Sequence, residues 1–378
     1  MKIAFFSSVL NHHQIEFCDA MYRIYGDEFT FVSTMELETQ RVNLGYSLFD
    51  RNYNLCMHKS DEERKRAEEL FQNADVVIVG VNLNAWLKKR LKSNKVTFLY
   101  RERLFKEKPS PYWWLRSLFF VMREYYPYRK KPFYMLAASA YALTDYRSLG
   151  FFVGKTFQWG YFPPFKEHNI ETLMEKKKNS SINILWVGRL IDCKHPEYAL
   201  YLAEFLKTNN IDFHISIIGT GPMEEELRQY VKEHKLDDCV FIVGALPPEE
   251  VRQWMEKSNI LLFTSDRNEG WGAVLNEAMN SGCAVVASQT AGATNFMIED
   301  GVNGKIYKND SVDELKSVVL NLVKDYDTIE KIGAAAYLSI KNIQNAEIAA
   351  KRFSEVSEAI VSGGELPRYD SGPMSEVL

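Results

Sequence analysis

Ile260-Leu261-Leu262-Phe263-Thr264 is an unbroken apolar run, and shortly beyond it the chain reads Glu269-Gly270-Trp271-Gly272-Ala273-Val274-Leu275-Asn276-Glu277-Ala278-Met279-Asn280-Ser281-Gly282. A run this short, bounded by turn residues, predicts a buried strand. The second stretch predicts a glycine-rich turn that opens a helix, with Ser281-Gly282 as its left-handed stop. Open α/β sheets take ligands at the carboxyl ends of their strands, which is where this turn falls. Glycines at 270 and 272 let backbone approach a ligand closely and adopt positive φ, and the free N–H groups of a helix start attract anionic oxygens. Carboxylates beside an anion site make sense only if the ligand also carries hydroxyls, because Glu269 and Glu277 accept hydrogen bonds and donate none. Each such charge-assisted bond contributes roughly 1.5–3 kcal/mol, enough to orient a sugar ring. The plainer alternative is an acidic loop that merely caps a helix.

Other strand-to-turn passages surround this one. Ile182-Asn183-Ile184-Leu185-Trp186-Val187-Gly188-Arg189-Leu190 is a strand ending in glycine, with Lys194 five residues after Arg189. Phe213 to Ile218 runs into the tight turn Gly219-Thr220-Gly221-Pro222, and Met223 to His234 carries helical spacing. Val240 to Leu246 is a further short strand containing Gly244. Strands alternating with helices predict a parallel sheet.

Together these stretches resemble the nucleotide-sugar glycosyltransferases of the large retaining family 4, the group 1, glycogen-synthase-like enzymes with the two-domain GT-B fold. The resemblance lies in Glu-x7-Glu at Glu269 and Glu277 and in Gly-Arg-Leu-x-x-x-Lys at Gly188 to Lys194. It implies that Arg189 and Lys194 hold the donor diphosphate, Glu269 and the Gly270–Ala273 turn face the sugar, and Glu277 holds the ribose hydroxyls. Val274 and Leu275 continue that donor segment, Gly188, Gly219 and Gly221 lie below the phosphates, and Leu246 borders the base. The chemistry agrees: a departing nucleoside diphosphate gains negative charge, which fixed cations stabilise most in the transition state. The resemblance also implies retention of configuration, with the leaving phosphate as proton acceptor and neither metal nor other cofactor required. His195 stands where the family usually has glycine, which puts the local backbone in question. The sole Asp-x-Asp, Asp325-Tyr326-Asp327, reads as a solvated helix end.

A chain of 378 residues predicts two domains. The expected fold class is α/β: two Rossmann-like, doubly wound parallel-sheet domains facing each other across a cleft. Residues 1–165 form the acceptor-binding domain, 166–181 a linker, 182–345 the nucleotide-sugar donor domain, 346–361 a helix returning to the first domain, and 362–378 a flexible tail. Strands in the first half are expected at Lys2–Ser7, Phe29–Ser33, Val76–Val79, Val96–Tyr100, Met135–Ala138 and Phe157–Gln158. Cys18, Cys56, Cys193, Cys239 and Cys283 show no metal-ligand spacing and suit a reducing cytoplasm. The apolar N-terminus is too short for a signal peptide, and no run of eighteen apolar residues occurs.

The net charge of −4 is unevenly spread: residues 1–165 hold 24 Lys+Arg against 17 Asp+Glu, and residues 166–378 hold 22 against 33. Between residues 81 and 136 stand 14 basic residues against 3 acidic ones, interleaved with aromatics such as Tyr112, Trp113, Trp114, Phe119 and Phe120. Two readings stand side by side for residues 109–136. One is contact with an anionic membrane surface, where tryptophan and tyrosine favour the headgroup level. The other is a core helix with a solvated basic face. Nucleic acid is disfavoured as a partner by the acidic second half.

The first domain departs from the family. Where relatives carry a glycine pair and a His-Asp, this chain has Ser7 to Gln14 and Tyr100-Arg101-Glu102-Arg103. His12 and His13 are the candidates for acceptor binding, with either assisting proton transfer near neutral pH. Arg101 and Arg103 are candidates for a phosphate on the acceptor, or pair locally with Glu102. The partners expected are a nucleotide-sugar donor and a glycan or polyprenyl-diphosphate-linked acceptor, at a peripheral position on the inner membrane face. A non-catalytic sugar-nucleotide-binding protein or an epimerase on the same fold is the alternative, although the combined cation and glutamate motifs argue against both.

Overall fold

The computed structural model describes residues 1–36, 50–105, 110–178, 181–308 and 311–377. Residues 106–109 of the basic stretch, 179–180 of the expected linker and 378 of the expected tail lie outside the described residues. The chain divides into two compact units, one of residues 1–164 and 345–378, the other of residues 165–344.

The first unit holds a seven-stranded parallel sheet. Its strands are β1 (Ile3–Ser7), β2 (Phe29–Ser33), β3 (Asn54–Cys56), β4 (Val76–Val79), β5 (Val96–Arg101), β6 (Phe133–Ala137) and β7 (Thr156–Gln158), in spatial order β3-β2-β1-β4-β5-β6-β7. Runs such as Ile-Ala-Phe-Phe-Ser and Val-Val-Ile-Val are buried at every position, the pattern of strands covered on both faces. The second unit is a six-stranded parallel sheet of β8 (Ile182–Val187), β9 (Phe213–Ile218), β10 (Val240–Gly244), β11 (Ile260–Phe263), β12 (Ala284–Ser288) and β13 (Lys305–Tyr307), ordered β10-β9-β8-β11-β12-β13. Each sheet reverses its winding once, between β1 and β4 and between β8 and β11, the kind of switch point that leaves a crevice at the strands' carboxyl ends. The named strands appear with ends shifted by up to two residues. The sequence reading did not name β3, β12 or β13.

Two expectations are corrected. The segment 166–181 is not a bare connection: a helix at Ile170–Glu175, capped by the Asn169 side chain, buries Leu173 and Met174 beside Tyr337 of the second unit. The tail is not loose either. Tyr369 lies under the Arg352 guanidinium, Met374 is buried, and Met374 and Val377 donate backbone hydrogen bonds to Gln158 and Thr156 of the edge strand β7. An edge strand offers unpaired backbone groups, and here the chain's own end covers them.

The helix Ala346–Ser362 starts at an Asn345 cap and stops at Gly363, whose φ of 71° is the left-handed stop that glycine favours. Its Phe353 is fully buried and meets the rings of Phe17, Phe98 and Trp159 at centroid distances of 6.0, 5.1 and 5.9 Å. This late helix therefore completes the core of the first unit. Phe353→Ala is expected to cost about 3–5 kcal/mol of stability, read as a lower midpoint in chemical denaturation. An unchanged midpoint would place the helix outside the core.

Candidate functional site

The loops that leave β8, β9, β10 and β11 at their carboxyl ends carry every residue that the sequence assigns to the donor. Gly188, Arg189 and Lys194 follow β8, Gly219 and Gly221 follow β9, Leu246 follows β10, and Glu269 to Leu275 with Glu277 follow β11. Since β8 and β11 flank the switch point, the cations and the acids come from its two sides.

The floor is made of backbone at very close range. A Cβ on Gly219, which has φ of 139°, would lie 1.8 Å from the Gly188 carbonyl oxygen, and one on Gly272 would lie 2.2 Å from the Phe263 ring. Neither position can hold a side chain without displacing a strand end. Of the two glycines beside Trp271, only Gly272 takes positive φ. Trp271 itself is buried, and its indole N–H donates to Asn276 at 2.9 Å, so its ring packs the loop instead of facing outward.

Lys194 and Glu269 form an ion pair through Nζ and Oε2, each side chain being 17 % exposed, and Ser265 Oγ donates to the same carboxylate oxygen at 3.3 Å. Asp266 shapes the loop that suspends Glu269. Its backbone N–H donates to Cys193 O at 2.9 Å, and its carboxylate accepts from the Asn268 N–H at 2.7 Å. Burial raises the Cys193 thiol pKa, as do the charges of Asp266 and Glu269, against the opposing pull of Lys194 and Arg189. All four charged groups thus share one neighbourhood. Arg189 is exposed.

The departure at His195 has a local account. The residue sits at φ 47°, ψ 56°, a conformation that glycine adopts most freely. Its ring is held at 2.8 Å from Glu197 and 3.8 Å from Asp266 and stacks on Tyr198. The backbone therefore keeps the glycine-like turn with a histidine in place.

Glu277 is half-buried on the short helix Val274–Asn280. Burial pushes its carboxyl above the ordinary range, against the opposing charge of Arg252. Arg252 was missed by the sequence reading. Its guanidinium donates to the backbone carbonyl of Glu277 at 3.0 Å and to Asn280 at 2.5 Å, closing the end of that helix. No motif announces it, since it is one cation on a highly charged helix, Pro248–Lys257.

In the first unit, His12 and His13 follow β1, with ring centroids 3.8 Å apart. His13 stacks on Tyr161, and burial followed by the neighbouring His12 lowers it to about 3, so it stays neutral near pH 7. Of the two histidines expected to assist proton transfer near neutral pH, His13 is there in its neutral form. Burial lowers His12 as well. Arg101 donates to the carbonyls of Tyr100 and Val81 at 3.0 and 3.2 Å. Arg103 is buried, 3.8 Å from Asp145 and over the Tyr141 ring, while Glu102 accepts from the Tyr161 hydroxyl. Both arginines are built into the fold. Asp325 and Asp327 are exposed just past the end of the helix Val312–Val323, and Asp325 also caps the start of the next helix, Tyr326–Asn342. Among the described residues no group of three or more His, Cys, Asp or Glu is placed to hold a metal ion.

The two Rossmann-like units define the α/β class of the GT-B proteins. Residues 169–339, nearly the whole second unit, match the model of the family described as Glycosyl transferases group 1. The chain is 29 % identical over 184 residues to the amylovoran biosynthesis glycosyltransferase AmsK of Erwinia amylovora, covering 47 % of this chain and 45 % of that protein. It is 24 % identical to the putative colanic acid biosynthesis glycosyltransferase WcaL of Salmonella typhimurium, covering 49 % and 47 %. The matched region thus spans about half the length of these curated relatives. Among solved structures, HepE of Anabaena in complex with UDP aligns over 95 % of this chain and 100 % of its own, with TM-score 0.67 and 16 % identity, a likeness of fold.

Raised above the ordinary 4.5, the Glu277 carboxyl is disfavoured by the fold in its charged form. The penalty is absent below that range, grows as pH rises through it, and is complete above the raised value. Glu277→Gln is therefore expected to melt higher than the parent near pH ~8 and to lose that advantage towards pH ~4. Equal midpoints at every pH would show that no charge is being buried there.

Proposed function

We propose that this chain is a retaining, metal-independent glycosyltransferase that moves a sugar from a nucleotide-sugar to a hydroxyl of a glycan or polyprenyl-diphosphate-linked acceptor, in cell-surface polysaccharide synthesis. The observation that carries the reading is the contact of Lys194 with Glu269 across the switch point, with Arg189 in the same neighbourhood. The motif match over residues 169–339 and the polysaccharide-related names of AmsK and WcaL support it.

On this reading the donor diphosphate lies against Arg189 and Lys194. The incoming phosphate draws Lys194 from Glu269, and a sugar hydroxyl then donates to the released carboxylate. Arginine grips two phosphate oxygens at once, and lysine follows as a mobile point charge. Glu277, held by the Arg252-braced helix, accepts from the ribose hydroxyls. The acceptor oxygen forms the new bond to the anomeric carbon as the bond to the leaving phosphate oxygen breaks. The acceptor proton passes to that phosphate oxygen, so no protein base is needed. Positive charge fixed where the leaving group becomes more negative stabilises the transition state more than the ground state. His12 is retained as an acceptor contact. A polyprenyl-diphosphate acceptor resides in a bilayer, which makes a lipid-facing surface a corollary and places the chain at the inner membrane face.

Thermal-shift and hydrolysis measurements over UDP-, GDP- and ADP-sugars are expected to single out one nucleotide class, with turnover unaffected by EDTA. Glu269→Gln, Lys194→Met and Glu277→Gln are each expected to reduce that turnover at least about 100-fold while the protein stays folded. Full activity in all three variants would reject the site.

A further inference from the structure

The helix Pro111–Glu124 begins beyond the carboxyl end of β5 and leads back to the amino end of β6, so it runs the height of the first sheet. It buries only Val121 and Glu124. Tyr112, Trp113, Leu115, Phe119 and Met122 are exposed, Phe119 to 72 % and Tyr112 to 64 %. At 100° per residue Met122, Leu115, Phe119 and Tyr112 fall on one face, and Arg123 and Arg116 lie at its edge, between Tyr112 and Trp113, also exposed. The Arg116 guanidinium covers the Trp113 ring at 5.1 Å. The helix's one acid, Glu124, is already neutralised by Lys88 at 2.9 Å and Arg123 at 2.8 Å.

Past its end the chain passes through Tyr126–Tyr128 into Arg129-Lys130-Lys131. Lys155 fixes this turn by donating to the carbonyls of Arg129 and Lys131 at 2.9 and 2.6 Å. Lys130, Lys131, Lys155 and Lys95 line a cavity of about 490 Å³ at the amino ends of β5, β6 and β7, the edge opposite the strands' carboxyl ends. Asp75 is the one acid among its lining residues.

We infer that this helix face and the lysine-lined cavity beside its end form one docking surface for an anionic phospholipid bilayer: the aromatic and aliphatic side chains enter the headgroup layer, and the cavity receives lipid phosphate. Exposed apolar area on a helix needs a cover, and the cations set within it select the chemistry of that cover. A protein partner's apolar core would have to take Arg116 out of water against the Trp113 ring, whereas anionic headgroups meet it at the depth where tryptophan and tyrosine also settle. The surface is argued from its own residues and holds whatever acceptor is used.

The test is sedimentation of the full chain with vesicles of phosphatidylcholine alone and of phosphatidylcholine containing about a third phosphatidylglycerol. Binding is expected on the anionic vesicles, at least about 10-fold weaker on the neutral ones, and reduced by salt at about 0.5 M. Phe119→Ser with Trp113→Ser, and separately Lys130→Glu with Lys131→Glu, are each expected to weaken it about 10-fold or more with unchanged thermal midpoints and unchanged nucleotide-sugar binding. Equal binding to both vesicle types, or no loss in either double variant, would overturn the inference. So would full displacement by millimolar inorganic phosphate, which would mark a soluble anion site. A dimer in solution that Phe119→Ser dissociates would assign the face to a second copy of the chain.

Discussion

The second unit depends on one electrostatic arrangement: a lysine carried past β8 and a glutamate carried past β11 meet over the point where the sheet changes its winding direction. Neither charge could be sunk this far from water alone, because desolvating an unpaired charge costs several kcal/mol or more. Paired, each supplies what the other needs, and Ser265 meets part of the carboxylate's remaining capacity. The pair also explains why the surrounding backbone has so little freedom. Gly188 and Gly219 bring adjacent strand ends so close that a methyl group would collide, and Gly272 lies as closely over Phe263. The charges thereby stand on loops that leave tightly packed strand ends. A ligand with an anionic end and a hydroxyl-bearing end replaces each half of the pair with an equivalent partner, so its entry leaves no charge stranded.

This part of the molecule was the most legible in the sequence because its chemistry is local. Apart from Glu277, the functional residues follow soon after a strand end, and apolar run, glycine and charged residue come one after another in order. Strands β1, β4 and β11 were legible for the same reason, being buried on both faces and uniformly apolar. The short strands β3 and β13 were not, since three residues such as Asn54-Leu55-Cys56 carry no period of their own and take their place from the neighbouring ladder. The C-terminal segment looked mobile by composition. Its order comes from Arg352 and β7, partners about twenty and more than two hundred residues away in the chain, which composition cannot report.

Arginine shows the same division between what sequence carries and what only the fold decides. Arg189 follows a strand and stays exposed, whereas Arg101 ends a strand and spends its donors on main-chain carbonyls. Arg252, on a helix where half the residues are charged, turns inward and braces the helix bearing Glu277. The sequence presents three cations. The number of orphan carbonyls within reach separates them, and that number is a property of tertiary packing. His13 follows the same rule: its place after β1 suggested chemistry, and its burial, then the neighbouring His12, removes the charge that chemistry would have used.

The same reasoning bears on the open choice between a core helix and a lipid-facing one at residues 111–124. A helix built into a core hides its largest apolar residues and leaves its cations at the rim, where their stems alone are covered. Here the order is inverted: Val121 is buried, while the bulkier Phe119 and Trp113 stand outside with arginines among them. Folding alone gains nothing from placing Phe119 in water, since burying such a ring is worth about 1.5–3 kcal/mol. The positions that would have been spent on the sheet are spent on the solvent side, so the selection acting on this helix lies outside the first unit's own stability. The basic excess of residues 1–165 then has a direction as well as a magnitude: part of it is gathered on one helix face and at the amino edge of the first unit's sheet.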